Sequence, residues 1–243
     1  MTSVRIAAAG DIHCTESRRR EIVRAFHGLD SAVDLVLLAG DLTTHGEPEQ
    51  AAVLADAVRE VGPPVVAVLG NHDWHSNRQD EIARLLREAG LTVLDRSWTA
   101  RDVRGTEVGI VGTKGFVGGF PDSQLPDFGE PLLRQVYAET TAEVRALDQG
   151  LAAVAHCPIR IVLLHYAPTT TTLEGEPRTI WAYLGTDRLA PPIELHRPHL
   201  VLHGHGHAGT FAGSIGEVPV FNVAVPVMRR DFFVFELDGE GVR

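Results

Sequence analysis

Residues 35–73 read LVLLAGDLTTHGEPEQAAVLADAVREVGPPVVAVLGNHD, in the order of a strand, a helix and a second strand. The apolar runs Leu35–Ala39 and Val65–Leu69 are continuous rather than alternating, which is typical of strands that are covered on both faces. Between them, Pro48 suits the first turn of a helix, and apolar residues follow at helical spacing until Gly62-Pro63-Pro64. The stretch therefore predicts a parallel βαβ unit.

The same alternation extends on both sides of this unit. Val4–Ala9 predicts a preceding strand, Glu16–Leu29 predicts the helix that follows it, and the apolar residues of 82–89 predict a third helix. The polar residues that follow the three strands are thirty positions apart (11, 41 and 71), which matches the length of βαβ units.

Beyond residue 90 the pattern changes to short strands, one long helix and two irregular segments. The long helix is predicted from the apolar face Leu133, Val136, Thr140, Val144, Leu147, Leu151 and Val154, and a short helix is predicted near Ile193. Strands are predicted at Leu91–Leu94, Trp98–Val103, Val108–Val111, Ile161–Leu164, Leu200–Leu202, Val218–Val223 and Phe232–Leu237. Lys114–Pro131 lacks clear periodicity and is predicted to be a functional loop. Tyr166–Pro198 is a second long excursion that contains the helix predicted near Ile193, and we expect both segments to carry substrate specificity. Nothing resembles an interdomain linker, so we expect one domain over residues 1–243, with a mixed sheet system covered by helices.

The cysteine count, the lengths of the apolar runs and the net charge disfavour several classes of protein. The two cysteines, Cys14 and Cys157, are too few for a disulfide framework, and we expect a cytoplasmic location. Residues 1–10 predict the first strand rather than a secretory signal, and the apolar runs are far shorter than the roughly 20 residues that a membrane span needs. A net charge of −10 disfavours binding to duplex nucleic acid. It remains compatible with a small phosphorylated substrate, because bound dications reverse the local sign.

Five short polar clusters follow the apolar runs. They are Asp11-Ile12-His13, Gly40-Asp41, Gly70-Asn71-His72-Asp73, His165 and Gly204-His205-Gly206-His207. Taken singly, three of the clusters have structural explanations: a helix cap at Asp11, a turn at Gly40-Asp41, and a histidine with a hydrogen bond at a strand end for His165. The other two are harder to explain in this way, because a plain turn needs neither two adjacent ionisable groups nor histidines that alternate with glycines. Ligands of α/β sheets, however, collect at the carboxyl ends of strands, where His, Asp and Asn side chains can surround metal ions. Two metal ions about 3.5–4 Å apart form a hydrolytic device for phosphate esters.

In this order, Asp-x-His, Gly-Asp, Gly-Asn-His-Asp, His and Gly-His-x-His, the series resembles the calcineurin-like metallophosphoesterase superfamily. The resemblance implies an α/β fold, a four-layer αββα sandwich of two mixed β-sheets flanked by helices. It also implies two divalent or trivalent metal ions and seven ligands: Asp11, His13, Asp41, Asn71, His165, His205 and His207. One metal would be held by Asp11, His13 and His207 and the other by Asn71, His165 and His205, with Asp41 bridging the two.

The ligand types suit that chemistry. A carboxylate such as Asp41 has two oxygens to share between two cations, and Asn71 adds an oxygen without charge. Neutral imidazoles favour Mn, Fe or Zn over Mg or Ca. We expect a hydroxide that bridges the metals to attack phosphorus. The resemblance implies that His72 is the general acid or charge stabiliser near the leaving group, and we expect Asp73 to orient its imidazole or to favour its charged form.

Other residues are weaker candidates. Cys14 is a candidate for the rim of the site, but we favour ordinary packing for it. We expect His203 to be structural or exposed. His45 and His75 are candidates to reach the substrate, and Arg178 either pairs with a phosphate or is solvated. The phenylalanines of the first irregular segment, Phe116, Phe120 and Phe128, predict either an apolar wall or lid, or a simple surface cover.

The leading hypothesis is a metallophosphoesterase that favours phosphodiesters. The same centre could serve a phosphomonoesterase or a pyrophosphohydrolase. From another class, a non-catalytic binding protein stabilised by metal is the competing hypothesis, although no catalytic or ligand residue is missing. The physiological substrate and the oligomeric state are not determined by these residues.

Overall fold

The computed structural model describes residues 3–29, 33–59 and 61–242; the remaining positions of the predicted domain, 1, 2, 30–32, 60 and 243, lie outside the described residues. The described strands are β1 (Val4–Ala9), β2 (Leu35–Ala39), β3 (Val65–Val68), β4 (Thr92–Leu94), β5 (Ser97–Val103), β6 (Thr106–Gly112), β7 (Ile159–Leu163), β8 (Leu200–His203), β9 (Ala212–Ile215), β10 (Val218–Asn222), β11 (Phe233–Asp238) and β12 (Gly241–Val242). The described α-helices are α1 (Arg19–His27), α2 (Pro48–Arg59), α3 (Gln79–Glu88), α4 (Pro131–Ala153), α5 (Trp181–Leu184), α6 (Ala190–His196) and α7 (Val225–Met228). Short 3₁₀ turns lie at Glu16–Arg18, His72–Trp74, Thr170–Thr172, Arg178–Ile180 and Asp187–Leu189.

The first sheet contains the predicted βαβ units. Its strand order over the described residues is β12-β11-β1-β2-β3-β4, and β1 to β4 run parallel. Ala8 lies opposite Leu37, and Leu38 lies opposite Ala67, so the successive apolar runs are in register. The C-terminal strand β11 pairs antiparallel with β1 and makes the sheet mixed.

The second sheet is built from the later strands, in the order β5-β6-β7-β8-β10-β9 among the described residues. Strands β6, β7, β8 and β10 are parallel, and β5 and β9 are antiparallel edges. Both sheets are therefore mixed.

The two sheets share a core, and helices cover their outer faces. Side chains alternate along the second sheet: Ile110, Ile161 and Leu202 join the core that contains β1 to β3. The intervening Val111 and Val162 pack in a separate cluster with residues of α4 and α6. With α1, α2 and α3 contributing to the first core, the layers are helix, sheet, sheet and helix. The expected four-layer αββα sandwich is confirmed.

Two predictions about apolar faces hold only in part. In the stripe predicted for the long helix, Thr140, Leu147, Leu151 and Val154 are buried as expected. Leu133, at the start of the predicted stripe of α4, is half exposed, whereas Glu143 within the helix is buried. The three phenylalanines do not form one wall, because Phe120 is buried and Phe128 is 79 % exposed. Within the described residues, no helix combines the length and hydrophobicity needed to cross a bilayer.

Candidate metal centre

The carboxyl ends of five strands from both sheets meet at one edge of the sandwich. Backbone hydrogen bonds join them: Asp11 N donates to Gly40 O at 3.0 Å, and Gly204 N donates to His165 O at 3.1 Å. Gly10 N, at the end of β1, donates to Val223 O, just beyond β10 in the other sheet. The loops that carry the polar clusters are thus fixed to one another before any ligand is considered.

One group of possible metal ligands consists of Asp11, His13, Asp41 and His207. Each can offer an atom such that all lie within 4.8 Å of one another. His207 Nε2 lies 2.8 Å from Asp11 Oδ1, and His13 Nε2 lies 3.9 Å from Asp41 Oδ2. These four residues come from the ends of β1, β2 and β8.

A second group contains Asp41, His165 and His205, again with ligand atoms within 4.8 Å. His165 Nε2 lies 3.3 Å from Asp41 Oδ1 and 2.8 Å from Asn71 Oδ1. Asp41 belongs to both groups, and its two oxygens face different histidines. The structure therefore brings together all seven side chains that the sequence singled out as metal ligands.

The donor atoms fit a cation. Asp41 Oδ2 is buried and has no hydrogen-bond partner among the described residues. His165 Nδ1 lies 2.9 Å from the carbonyl oxygen of Ala39, which can only accept, so that nitrogen carries the proton of the neutral ring. Its Nε2 lone pair then faces Asn71 Oδ1, another acceptor, at 2.8 Å. A cation that both atoms coordinate would compensate this arrangement.

Backbone carbonyls orient two more imidazoles. His205 Nε2 lies 3.2 Å from Tyr183 O, which leaves Nδ1 as the free ligand atom of that ring. His72 Nδ1 lies 2.8 Å from Thr44 O, and its Nε2 lies 3.8 Å from Asp41 Oδ2. Sequence reasoning missed these partners because a main-chain carbonyl carries no residue signature.

The local backbone is strained where these side chains emerge. Asp11, His13, Asp41 and His205 have φ values of 56°, 49°, 50° and 68°, in the left-handed region that most L-residues avoid. Neighbouring glycines are required by space: a Cβ on Gly204 would overlap Asp11 Oδ2, and one on Gly70 would overlap the Asp41 carboxylate. Such strain clusters at functional sites, where the surrounding structure maintains it.

The surroundings shift the pKa values of Asp41 and Asp11 in opposite directions. Burial raises the pKa of Asp41 to about 6, with the neighbouring Asp11 and Asp73 adding to the rise against the opposing effect of His165. Burial also opposes ionisation of Asp11, but the hydrogen bond from His207 and the nearby imidazoles outweigh it and lower the pKa of Asp11 to about 2. Burial lowers the pKa of His13 to about 4 and that of His205 to about 3. These two rings are therefore neutral near pH 7, the form that binds metal.

The expected contact between Asp73 and the His72 ring is wrong. Asp73 is fully buried, and its Oδ1 accepts hydrogen bonds from Thr43 N at 2.8 Å and Thr43 Oγ1 at 2.6 Å. Its Oδ2 accepts from Gly70 N at 2.8 Å and Leu42 N at 3.1 Å. Asp73 thus ties the loop that carries Asp41 to the loop after β3, and it orients backbone rather than the imidazole.

The weaker candidates fall into two groups: buried residues with a structural role, and residues at the rim of the site. Cys14 is buried, and burial raises the pKa of its thiol to about 12. His203 is also buried, with its Nε2 2.8 Å from Thr172 Oγ1, so its role is structural. The His75 ring packs 4.3 Å from the His72 ring, whereas His45 is exposed. Arg178 lies over the Trp181 ring at 5.1 Å.

A family model described as calcineurin-like phosphoesterase matches residues 4–209. The chain belongs to the calcineurin-like phosphoesterase family. The expected resemblance is confirmed, and the family is one of phosphoesterases. His and Asp side chains suited to metal binding lie where its strands end.

Solved structures agree with this phosphoesterase in fold. The phosphopantetheinyl hydrolase of Mycobacterium tuberculosis is 16% identical, with a TM-score of 0.66 and coverage of 92% of this chain and 90% of that one. GAP50, the anchor in the inner membrane complex of Plasmodium, is 13% identical with a TM-score of 0.65, covering 100% of this chain and 83% of its own. At these identities the likeness concerns the fold alone.

One curated relative matches locally. A protein from Synechococcus sp. named a probable cyclic nucleotide phosphodiesterase is 50% identical over 40 residues. The match spans 16% of this phosphoesterase and 16% of that relative's length.

Proposed function

We propose that this protein is a dinuclear metal-dependent phosphoesterase with a preference for phosphodiesters, in which His72 acts as general acid. The observation that carries the proposal is the position of Asp41 between two groups of ligand atoms. Oδ1 lies 3.3 Å from His165 Nε2, and Oδ2, buried without a hydrogen-bond partner among the described residues, lies 3.9 Å from His13 Nε2. A carboxylate shared in this way suits two cations that lie close together.

Asp11, His13 and His207 would hold one metal and Asn71, His165 and His205 the other, with Asp41 shared. Four imidazoles, two carboxylates and one amide oxygen favour Mn, Fe or Zn over Mg or Ca. When bound, such ions supply an acidified water as nucleophile and electrophilic positions for phosphoryl oxygens.

Backbone carbonyls of the chain orient two ligand imidazoles and the imidazole of His72, the proposed proton donor to the leaving group. The carbonyls of Ala39 and Tyr183 hold the proton of His165 on Nδ1 and that of His205 on Nε2, so the opposite nitrogens are free to ligate. The Thr44 carbonyl holds one proton of His72 on Nδ1, so a second proton taken up at Nε2, which makes the ring an imidazolium, is the one that can pass to the departing oxygen.

The preference for diesters is supported by the name of the Synechococcus relative, and the net charge of −10 supports a small phosphorylated substrate over duplex nucleic acid. The protein should be purified without metal, loaded with Mn(II), and assayed with bis(p-nitrophenyl) phosphate and p-nitrophenyl phosphate. Faster turnover of the diester is expected. Faster turnover of the monoester would point to a phosphomonoesterase on the same centre, and inactivity on both with two metals bound would favour a non-catalytic binding protein.

Two variants test the division of roles. His72→Ala should lower kcat by about 10²- to 10⁴-fold while the chain keeps two metals, because general acid catalysis is worth about that much. Asp41→Ala should lose metal as well as activity. His27→Ala, at an exposed histidine of α1, serves as the control and should retain both. Full activity of His72→Ala on several diesters would remove His72 from the mechanism.

A further inference from the structure

Lys114 is the only lysine among the 22 lysine and arginine residues of the sequence. It lies between β6 and α4, at the start of the irregular segment, and only 8% of its surface is exposed. A compact ammonium differs from a planar guanidinium in size, hydration and hydrogen-bond geometry. A single buried lysine in a chain that otherwise uses arginine indicates a position with its own requirement.

Three aromatic rings lie close to the ammonium. Lys114 Nζ lies 4.3 Å from the ring centroid of Phe116, 5.1 Å from that of Tyr166 and 5.7 Å from that of Trp74. Ring faces stabilise a cation that has lost part of its water. They accept no conventional hydrogen bond, however, and leave the N–H groups of the ammonium available.

The hydrogen-bonding capacity of Lys114 is largely unused. Its Nζ donates to the carbonyl of Gly115 at 3.1 Å, which is one acceptor for three N–H groups. Within the described residues, no carboxylate lies within ion-pairing distance of it. Glu143, the buried acid of α4, is held instead by Arg96 at 2.9 Å and by Thr113 and Gly115. Glu143 and Glu139 act on the ammonium only from beyond ion-pairing distance, and burial lowers the pKa of Lys114 in spite of them. A ligand with negative charge would therefore stabilise the buried cation.

The same lysine is connected to the candidate metal centre. The Lys114 carbonyl accepts hydrogen bonds from the backbone N–H groups of His165 and Tyr166, both at 3.0 Å. The Tyr166 ring, which contacts the ammonium, also packs 4.5 Å from the His205 ring. On the other side, Trp74 follows His72 by two residues and is 40% exposed. The cation is thus fixed between the loop of the proposed general acid and two proposed ligands.

We propose that Lys114 forms a cationic subsite that donates hydrogen bonds to a phosphate oxygen of the substrate. This inference rests on the proposed phosphoesterase function. Two sources of that oxygen are possible, the phosphoryl group being cleaved and a second phosphate on the same substrate, and the experiments below distinguish them.

The unique lysine allows a direct binding measurement. Protein labelled with [ε-¹³C]lysine gives a single side-chain NMR signal, which is followed in the zinc-loaded chain during titration with inorganic phosphate and then pyrophosphate. Calorimetry on the same samples establishes saturation. The Lys114 signal is expected to shift in step with binding of at least one of the two anions. A signal that stays in place at saturation, or failure of both anions to bind, overturns the proposal.

Lys114→Met gives the complementary test, because methionine keeps an unbranched, apolar side chain among the rings of Phe116, Tyr166 and Trp74 and lacks the charge and the hydrogen-bond donors. If the lysine binds the cleaved group, kcat/KM for bis(p-nitrophenyl) phosphate falls about 10- to 100-fold, the effect expected for a hydrogen bond to a charged group. If it binds a second phosphate, that kcat/KM is unchanged and Lys114→Met binds pyrophosphate more weakly than the wild type, whereas its affinity for phosphate stays the same. Arg84→Met, which removes one positive charge from the exposed face of α3, should alter neither.

The Lys114 subsite and the phosphoesterase activity can each be refuted without refuting the other. Hydrolysis by the wild type without any effect of Lys114→Met on kcat/KM or anion affinity removes the subsite and leaves the phosphoesterase. Phosphate-dependent movement of the lysine signal without hydrolysis keeps the subsite and removes the proposed activity. Metal content, measured in every sample, should remain two ions per chain in Lys114→Met.

Discussion

Replacing Asp73 with asparagine tests whether this residue supports the site through its backbone contacts. Each carboxylate oxygen accepts two hydrogen bonds, Oδ1 from Thr43 and Oδ2 from Gly70 and Leu42. An amide group must place its NH₂ against one of these pairs. The less costly orientation faces Thr43, whose hydroxyl can turn and accept, but the Thr43 N–H then has no acceptor.

The expected loss of stability follows from the hydrogen bond that asparagine cannot accept. One buried N–H left unsatisfied costs about 1–3 kcal/mol, and the remaining bonds weaken when they no longer end on a charged oxygen. We therefore expect Asp73→Asn to lower the free energy of unfolding by about 2–4 kcal/mol. That is a large share of the roughly 5–15 kcal/mol typical of a folded protein. Because the lost bonds join the loops of Asp41 and Asn71, metal affinity should fall too.

Urea unfolding at pH 7, followed by circular dichroism on chelator-treated protein, measures the change without a contribution from metal. Asp122→Asn is the matched control: Asp122 is exposed at a φ of 73°, a conformation that asparagine tolerates, and its change should stay within about 0.5 kcal/mol. If the two variants unfold at the same urea concentration, the structural role given to Asp73 is refuted. Loss of kcat with unchanged stability would restore a direct role beside His72.

Three further predictions concern the space beside Gly204, the protonation of His203 and the removal of metal. Gly204→Ala should lower metal content and Tm together, because its Cβ would overlap Asp11 Oδ2; normal metal binding measured by atomic emission would contradict this. Burial lowers the pKa of His203 to about 4 from 6.5, so the unfolded chain takes up this proton first and stability should fall as the pH drops from 6.5 to 4. Between pH 6.5 and pH 4, the free energy of unfolding of His203→Gln, measured by urea titration, should fall less than that of the wild type, by up to about 3 kcal/mol. If the free energies of unfolding of the two proteins change with pH in the same way, His203 is not the titrating group. Chelation should lower Tm and re-addition of Mn(II) should restore it, since ligands that bind only the folded state stabilise it; an unchanged Tm would argue against metal binding at the site.

The first half of the fold was predictable because local patterns and tertiary contacts agree there. Continuous apolar runs, a proline at the start of α2 and the thirty-residue spacing all favour parallel βαβ units, and β1, β2 and β3 pair as expected. The face of α4 was less predictable. Buried Glu143 interrupts the apolar stripe because Arg96 and the 113–115 loop supply its partners, and no periodicity in the helix reveals those partners.

The sequence by itself determined the chemical inventory at the strand ends. Asp, His and Asn residues that directly follow buried strands must emerge at one edge of a parallel sheet, so their convergence follows from strand direction. Contacts between residues far apart in the chain were decided only by the tertiary structure. Asp73 was expected beside the adjacent His72 and instead binds the backbone thirty residues away, and the Lys114 ammonium lies close to rings from three separate segments. The physical reason is that backbone carbonyls, amides and ring faces are common to many residues, so their use as partners depends on packing and leaves no pattern in the sequence.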